Sequence, residues 1–247
     1  MKNRNGIVNL RFFAAGKIAG GITAGGIIAA GSLAALTLTA LSCEKLDVVG
    51  SGSAASFEKV LNQIPQSVTE DRQAGGWSLS APDGGARFIW SGDFSQSPLF
   101  DAAIEFDAAP FLAAGLDPAK LPENFTFSGG KLTVGTKLGT ETLKYRGEAS
   151  PLDSYKWIVR LRRDVIGYHA ALDHYGVSLG GGNIFEWAKD MGANDKDIVF
   201  VLDPAPFAAA GANPSRIDGW LFAKVSVDDE NGKPVQVDKL LKPFDLK

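Results

Sequence analysis

Cysteine and histidine are scarce in this chain of 247 residues, which has one cysteine and two histidines. A single cysteine excludes an intrachain disulfide framework and a cysteine-rich zinc or iron–sulfur site. Two histidines likewise exclude a histidine-rich metal cluster. The sequence also has neither the glycine-rich loop that binds nucleotide phosphates nor the fingerprint of dinucleotide-binding folds. We therefore expect no bound metal and no cofactor.

Charge is distributed unevenly along the chain. Residues 1–42 contain four basic side chains and no acidic one, which leaves 21 basic and 28 acidic groups, a net charge of −7, in the remainder. Proteins that bind nucleic acids present a basic surface to the phosphates. The acidic body therefore argues against a nucleic-acid partner.

A long apolar run follows the basic N-terminus. Residues 18–42 are 25 consecutive uncharged positions rich in Ala, Gly, Ile and Leu. A basic segment followed by an apolar one is the pattern of a secretory signal peptide. The run also exceeds the ~20 residues that a bilayer-spanning helix needs. The sequence therefore predicts export, with the run either cleaved off or retained as an anchor.

The only cysteine lies directly after this run, in the segment Thr39-Ala40-Leu41-Ser42-Cys43. This segment resembles the lipobox of bacterial lipoproteins, although the leucine and the small residue before it stand in reversed order. The resemblance implies cleavage after residue 42 and a diacylglycerol on the Cys43 thiol. It predicts a signal peptide over 1–42, a lipidated cysteine with a flexible tether over 43–53, and a body held on the cell membrane facing outside the cytoplasm.

The body contains an internal duplication. Asp107–Pro118 (DAAPFLAAGLDP) recurs as Asp203–Pro214 (DPAPFAAAGANP), with eight identities in twelve positions. Shorter matches keep the same order: Gly76–Leu79 with Gly176–Leu179, Phe88 and Trp90 with Phe185 and Trp187, Asp93 with Asp190, and Lys131–Val134 with Lys224–Val227. Collinear matches of this kind indicate a repeat. The sequence predicts copies over 54–149 and 150–247, which can pack as one globular domain.

Both copies combine helical and strand patterns. In the second copy, Ser150 and Pro151 have the residue types of an N-cap and a first helical position, and they predict a helix that runs to about Ile166. In the first copy, the corresponding helix begins at Ser56 and is stopped by Pro65.

Alternating apolar residues predict strands after each of these helices. Trp90 and Trp187 fall on the buried faces of such strands. Asp107 and Asp203 are expected to cap the short helices that follow. The predicted fold is α+β: two tandem copies of a helix–strands–short helix–strands unit, related by a pseudo-two-fold axis, with mainly antiparallel sheets.

Three groups capable of acid–base or zinc chemistry, His169, Asp173 and His174, lie close together in the second copy. Their spacing does not favour a shared site. A separation of five residues places two side chains on opposite faces of a strand, or about 140° apart on a helix. We therefore expect these side chains to form structural hydrogen bonds. We expect no metal site here and assign no catalytic residue.

Four further residues are candidates for ligand contact. Trp77 is matched with Val177 in the other copy, so its ring has no aromatic counterpart and could lie at the rim of a binding surface. Lys156, Arg160 and Arg163 form a basic stripe at helical spacing, which could contact anionic headgroups or envelope polymers. An ordinary solvated helix face is the alternative.

Two function classes are consistent with these observations. The first is a membrane-tethered extracytoplasmic lipoprotein, a non-catalytic module that binds an envelope polymer, a small molecule or a protein. The alternative is an extracytoplasmic hydrolase, metal-assisted or not, that uses the His169/Asp173/His174 segment. Clustering of the histidines with an acid around an open cavity would favour the enzyme.

Overall fold

The computed structural model describes residues 49–169, 172–192, 196–228 and 233–246. The first half contains α1 (49–63), β1 (Val68–Asp71), β2 (Gly76–Ser80), β3 (Ala86–Ser91), β4 (Ala102–Asp107), α2 (Ala109–Ala113), β5 (Phe125–Ser128) and β6 (Lys131–Thr136). The second half contains α3 (Pro151–Leu161), β7 (Ile166–His169), β8 (His174–Ser178), β9 (Ile184–Ala188), β10 (Ile198–Leu202), α4 (Ala205–Ala209), β11 (Leu221–Asp228) and β12 (Pro234–Phe244).

The two halves have the same sheet topology. The first sheet has the strand order β1-β2-β3-β4-β6-β5, and the second, read from its other edge, has the order β7-β8-β9-β10-β12-β11. All neighbouring strands in both sheets are antiparallel. The predicted α+β fold with two tandem helix–strands–short helix–strands units is confirmed.

The strand register shows which residues of the two copies correspond. Trp77 lies opposite Trp90, and Tyr175 lies opposite Trp187. The counterpart of Trp77 is therefore Tyr175, and the predicted match with Val177 is wrong by two residues. A Gly-x-Ser-Leu string occurs in both copies, but hydrogen bonding to the neighbouring strand sets the register.

The register also changes the last predicted match. Lys131 comes directly before the residue that pairs with Phe106 of β4. Lys239 comes directly before the residue that pairs with Leu202 of β10, the counterpart of Phe106. Lys131 therefore corresponds to Lys239 and not to Lys224. The prediction failed because the β11–β12 hairpin has strands of 8 and 11 residues, whereas those of β5–β6 have 4 and 6.

An aromatic core joins the two copies. The rings of Phe88 and Phe185, which are counterparts, stack with centroids 4.2 Å apart. Trp90 and Trp187 are fully buried in the same cluster, as predicted. The core is therefore shared between the copies.

Each long helix contacts the sheet of the other copy. The Ser56 hydroxyl on α1 donates to the Ala188 carbonyl at the end of β9 (2.9 Å). The Trp90 indole on β3 donates to the Pro151 carbonyl at the start of α3 (3.0 Å). These reciprocal contacts connect the copies at their periphery as well as through the core.

The short helices α2 and α4 meet in a symmetrical contact. Each is followed by a glycine in the left-handed region, Gly115 with φ +101° and Gly211 with φ +100°. The Asp117 amide donates to the Ala210 carbonyl (2.9 Å), and the Asn213 amide donates to Ala114 (2.8 Å). The reciprocal bonds show the predicted pseudo-two-fold relationship directly.

Helix α1 is longer than predicted. It already covers residue 49, so it includes the end of the segment predicted as a flexible tether over 43–53 and begins before Ser56. Its small residues allow close contacts: an added Cβ at Gly50 would lie 3.0 Å from Val159, and buried Ser53 bonds to the Tyr155 hydroxyl (2.5 Å). Tertiary packing therefore overrides the low helix propensity of glycine and serine.

The predicted capping is partly realised at one of the two aspartates, although the N-cap position is Pro204 in α4 and Ala108 in α2. The Asp203 carboxylate accepts a hydrogen bond from the Ala205 amide, at the start of α4 (3.0 Å). The Asp107 carboxylate forms no cap and pairs with the Lys131 ammonium (2.5 Å). Lys131 lies directly opposite Asp107 in the β4–β6 pair. The Asp107 carboxylate therefore pairs with the Lys131 ammonium and not with the backbone amides at the N-terminus of α2.

None of the helices in the described part of the chain is long and apolar enough to cross a membrane. The predicted signal peptide over 1–42 and Cys43 lie outside the described residues.

Candidate functional site

The two histidines lie on one face of the second sheet. His169 ends β7 and His174 begins β8, and they are directly opposite each other in this antiparallel pair. Cross-strand partners point to the same side of a sheet. The prediction that they point apart is therefore wrong, because it treated the segment as a single strand or helix, whereas the chain reverses between the two residues.

A third ionisable residue, Glu186 on β9, faces both imidazoles. His169 Nδ1 lies 3.7 Å from Glu186 Oε1, and His174 Nδ1 lies 3.8 Å from Oε2. All three side chains are at most 4% exposed. Burial alone would raise the pKa of Glu186, but the two imidazoles beside the carboxylate outweigh it and hold that pKa below its ordinary value.

The cluster has the composition of an acid–base site. Neither histidine lines the cavities of about 390, 560 and 470 Å³ that lie elsewhere in the described part of the chain. In the same part of the chain, no group of three His, Cys, Asp or Glu side chains has an arrangement that could hold a metal ion. His169, His174 and Glu186 therefore form a buried polar cluster.

Asp173 belongs to a different set of contacts. It is in the left-handed region (φ 55°) at the end of the β7–β8 loop. Its carboxylate accepts a hydrogen bond from the Tyr168 hydroxyl and lies 3.8 Å from the Lys189 ammonium. The hydrogen bond, together with some burial, raises the pKa of Tyr168 to about 12. The structure thus separates Asp173 from the histidines with which it was grouped.

One G-x-S-x-G string, the residue pattern of a serine-nucleophile turn, does occur in the chain, over residues 176–180. Ser178 ends β8 and the next element is β9, so the string lies in a hairpin and not in the strand-to-helix turn that exposes a nucleophile. Ser178 is also four residues from His174 along the strand, which is about 13 Å. The string therefore does not build a Ser–His pair.

A concavity of the first copy lies at the end of its sheet, beside Trp77. Its volume is about 560 Å³. Its lining combines two aromatic residues, three carboxylates, one amide and three glycines: Trp77, Tyr145, Glu70, Asp93, Glu148, Gln96, Gly75, Gly76 and Gly92, with Leu143 and Ala149. We call this cavity the Trp77 pocket.

A smaller groove of about 390 Å³ adjoins the Trp77 pocket. Tyr145 and Glu148 line both concavities. The groove also contains Lys156 and Arg160, and the Arg160 guanidinium lies 4.9 Å from the centre of the Trp157 ring. Three of the four predicted ligand-contact residues thus lie along one continuous surface.

The fourth, Arg163, lies apart from that surface. It begins the short 3-10 helix Arg163–Val165 after α3, is exposed, and lines neither concavity. The predicted basic stripe therefore does not act as one unit. It assumed that α3 continued to about Ile166, whereas the helix ends at Leu161.

Close backbone contacts beside the Trp77 pocket require glycine. A Cβ on Gly76 would come 2.1 Å from the Trp90 carbonyl oxygen, and one on Gly92 would come 2.9 Å from the Gly75 carbonyl oxygen. Gly75 has φ +60°. The backbone is therefore packed tightly enough that larger residues would require it to shift.

The electrostatic character of the Trp77 pocket is acidic. No Lys, Arg or His is among its lining residues, and Glu70, Asp93 and Glu148 form no ion pair within the described part of the chain. Burial raises the pKa of Tyr145, and the carboxylate of Asp93 adds to this shift. The Tyr145 hydroxyl donates to the Gly92 carbonyl (2.7 Å), which fixes the ring against the pocket.

Sequence reasoning identified Trp77, Lys156 and Arg160 but missed Tyr145 and Glu186. Tyr145 lies in the irregular connection between the copies, where no periodic pattern applies. Glu186 is the single charged residue within β9, Ile184–Ala188, and this isolated charge in an apolar strand is the signal that could have revealed it.

A scan against protein-family models, a search of curated proteins and a search of solved structures each found no match to this chain.

Proposed function

We propose that this protein is a membrane-tethered extracytoplasmic lipoprotein that acts as a non-catalytic binding module, with the Trp77 pocket and its adjoining groove as the ligand site. The basic and apolar N-terminus and Cys43 support the tether. The observation that carries the binding proposal is the pocket of about 560 Å³ beside Trp77. Ligand sites typically have volumes of about 300–1,000 Å³ and combine apolar walls with a few polar groups.

The composition of this surface supports recognition more than chemistry. Trp77 and Tyr145 supply partly exposed rings, which bind apolar or cationic groups at a low entropy cost. The imidazoles, the most versatile acid–base groups near neutral pH, lie elsewhere and are buried. The lipid tether would hold this surface at the outer side of the membrane.

A fragment screen on the full-length chain in detergent micelles tests the binding proposal. Ligand-observed NMR with cationic, neutral and anionic fragments should detect binding that Trp77→Leu weakens by at least about tenfold, because the ring forms a wall of the pocket. Tyr175→Leu, at the equivalent position of the second copy, is the matched control and should leave binding unchanged. If no fragment of any class binds, the proposal is contradicted. It is also contradicted if Trp77→Leu binds the fragments as tightly as the wild type does.

The second candidate, an extracytoplasmic hydrolase, is favoured by one observation: both imidazoles contact the Glu186 carboxylate within 3.8 Å. Such a group could transfer protons if a substrate reached it. An ester and peptide hydrolysis screen with wild type and Glu186→Gln tests it. Hydrolysis that is abolished in the variant while its fold persists would support the enzyme, as would stoichiometric metal in elemental analysis.

A further inference from the structure

The second copy shows what occupies the place of the Trp77 pocket there. By strand register, Glu70 corresponds to Tyr168, Trp77 to Tyr175, Gly75 to Asp173, Gly92 to Lys189 and Asp93 to Asp190. The loop contact is also shared, because the Gly92 amide donates to Gly75 and the Lys189 amide donates to Asp173, both at 2.9 Å. The two places are therefore directly comparable.

In the second copy, this place contains ammonium groups from the chain itself. The Lys189 ammonium lies 3.8 Å from the Asp173 carboxylate, and the Lys59 ammonium of α1 lies 3.4 Å from Asp190. Burial raises the pKa of the neighbouring Tyr175 hydroxyl, and the positive charge of Lys189 opposes this rise. The second copy thus combines an aspartate, an aromatic ring and a lysine ammonium.

The first copy keeps one of the two aspartates, Asp93 for Asp190, and the aromatic ring, but it has Gly75 in place of Asp173 and lacks both ammonium groups. Gly92 replaces Lys189. The counterpart of Lys59 is Trp157, given the match of Ser56 with Ser154 in the two helices. Asp93 accepts hydrogen bonds from the Ser95 amide and hydroxyl but has no ion pair with a described residue. The cavity lies where the second copy places lysine.

We infer that the Trp77 pocket binds the ammonium group of a small organic cation, primary or quaternary, in the place that Lys189 and Lys59 take in the second copy. This inference rests on the proposed function and adds the chemical class of the ligand. The carboxylates of Asp93, Glu70 and Glu148 supply the opposing charge.

The chemistry of the lining favours a cation over other ligands. The face of an aromatic ring carries partial negative charge and attracts ammonium groups within about 6 Å. Three carboxylates line the pocket itself, whereas the basic side chains line the adjoining groove: Lys144, Arg146, Lys156 and Arg160. The carboxylates attract cations and repel anions. A neutral ligand of the same shape would gain only the apolar contact with Trp77 and Tyr145.

Titration calorimetry on the full-length chain in detergent micelles tests the inference with two cations, tetramethylammonium and n-butylammonium. Acetate and tert-butanol serve as the anionic and neutral comparisons. We expect at least one cation to bind about tenfold more tightly than tert-butanol, and acetate not to bind. Added salt should weaken the binding of the cation.

Asp93→Asn and Asp190→Asn form the matched pair of variants. Asp93→Asn removes the charge from the pocket with little change of shape, and we expect it to weaken cation binding by about tenfold. Asp190→Asn makes the same change in the second copy and should leave binding unchanged. Equal effects of the two variants would overturn the assignment of the site.

Gly92→Lys introduces the lysine of the second copy and should abolish cation binding by occupying the pocket. Because its Cβ approaches the Gly75 carbonyl, circular dichroism must show that the variant folds. If Gly92→Lys does not fold, cation binding by Asp93→Asn tests the inference instead.

The outcomes separate the inference from the proposed function. Binding of tert-butanol as tight as that of the cations, with loss in Trp77→Leu, would refute the cation and retain the binding site. Absence of binding by all fragment classes would refute both.

Discussion

Glu186 is a buried carboxylate that lies beside the His169 and His174 imidazoles, about 3.7–3.8 Å away. Removing one partner from a buried ionic group leaves the other charge uncompensated, which costs about 3–5 kcal/mol. We therefore expect Glu186→Gln to lower the free energy of unfolding by about that amount at pH 7, measured by urea denaturation. The exposed Glu58→Gln should change it by less than about 0.5 kcal/mol.

The same residue predicts a pH dependence. The imidazoles hold the pKa of Glu186 below the ordinary value of 4.5, so the carboxylate stabilises the fold above that pH. As the pH falls below 4.5, the unfolded chain takes up the proton first, and this stabilisation is lost down through the folded pKa. The stability difference between wild type and Glu186→Gln should therefore shrink in acid. A difference that grows as the pH falls would contradict this assignment.

The buried cluster changes what we expect of the histidine variants. From sequence alone, His169→Ala and His174→Ala should destabilise the protein modestly or not at all. Because both rings face a buried carboxylate, we now expect each to cost stability through Glu186. Urea denaturation of the two variants tests this, and values within about 0.5 kcal/mol of wild type would exclude it.

The two repeat-related aspartates should respond differently to the same substitution. Asp203 accepts a hydrogen bond from the Ala205 amide at the start of α4, so Asp203→Ala should cost about 0.5–2 kcal/mol, the value of a lost cap. Asp107 makes a half-exposed ion pair with Lys131, so Asp107→Ala should cost about 0–1 kcal/mol. Chemical denaturation of both variants compares them, and a larger loss for Asp107→Ala would contradict the structure.

At the scale of elements, the contact between α2 and α4 depends on two glycines. Gly115 has φ +101°, and a Cβ there would lie 2.9 Å from the Gly211 carbonyl oxygen. We expect Gly115→Ala to cost about 1–3 kcal/mol from backbone strain, and more from this contact. Gly129 has φ +57° and open space around its Cβ position. Gly129→Ala therefore measures the cost of backbone strain without a steric contact. Urea denaturation should show the larger loss for Gly115→Ala.

Helices α1 and α3 show how the elements depend on each other across the repeat. Ser150 caps α3 by accepting from the Asp153 amide (3.0 Å), as predicted from local sequence. The position of the helix depends instead on the other copy, through the bond from Trp90 to Pro151. Local sequence therefore starts the helix, and the partner copy determines where it packs.

At the scale of the whole molecule, the shared core predicts a single unfolding unit. Phe88 and Phe185 stack at the centre of a cluster that includes residues of both copies. Phe185→Ala should cost about 3–5 kcal/mol, and near- and far-ultraviolet circular dichroism should still report one coincident transition. Two separate transitions, with only the second copy destabilised, would show that the copies fold independently.

Membrane attachment is tested at Cys43. If the thiol is acylated, mass spectrometry of the N-terminal peptide from the cell envelope should show the diacylglycerol adduct on a chain that begins at this residue. Cys43→Ser should accumulate as an unlipidated precursor. A lipid-free mature protein from the wild-type gene would refute the lipoprotein assignment and leave the pocket proposal to stand alone.

Local sequence by itself determined the class of the fold and much of its order. The twelve-residue repeat and the cap at Ser150 predicted elements that the structure contains, because these features depend on bonds between near neighbours. Burial of Trp90 and Trp187 followed from strand alternation. These properties require no knowledge of what lies across the sheet.

Tertiary structure alone decided the register and the sites. His169 and His174 face one carboxylate because a hairpin turns the chain between them, and Glu186 comes from a third strand. Tyr145 reaches the Trp77 pocket from the connection between the copies. Such groupings depend on which strands pair and in what alignment, and cross-strand hydrogen bonds and shared core packing set that alignment over long distances in sequence.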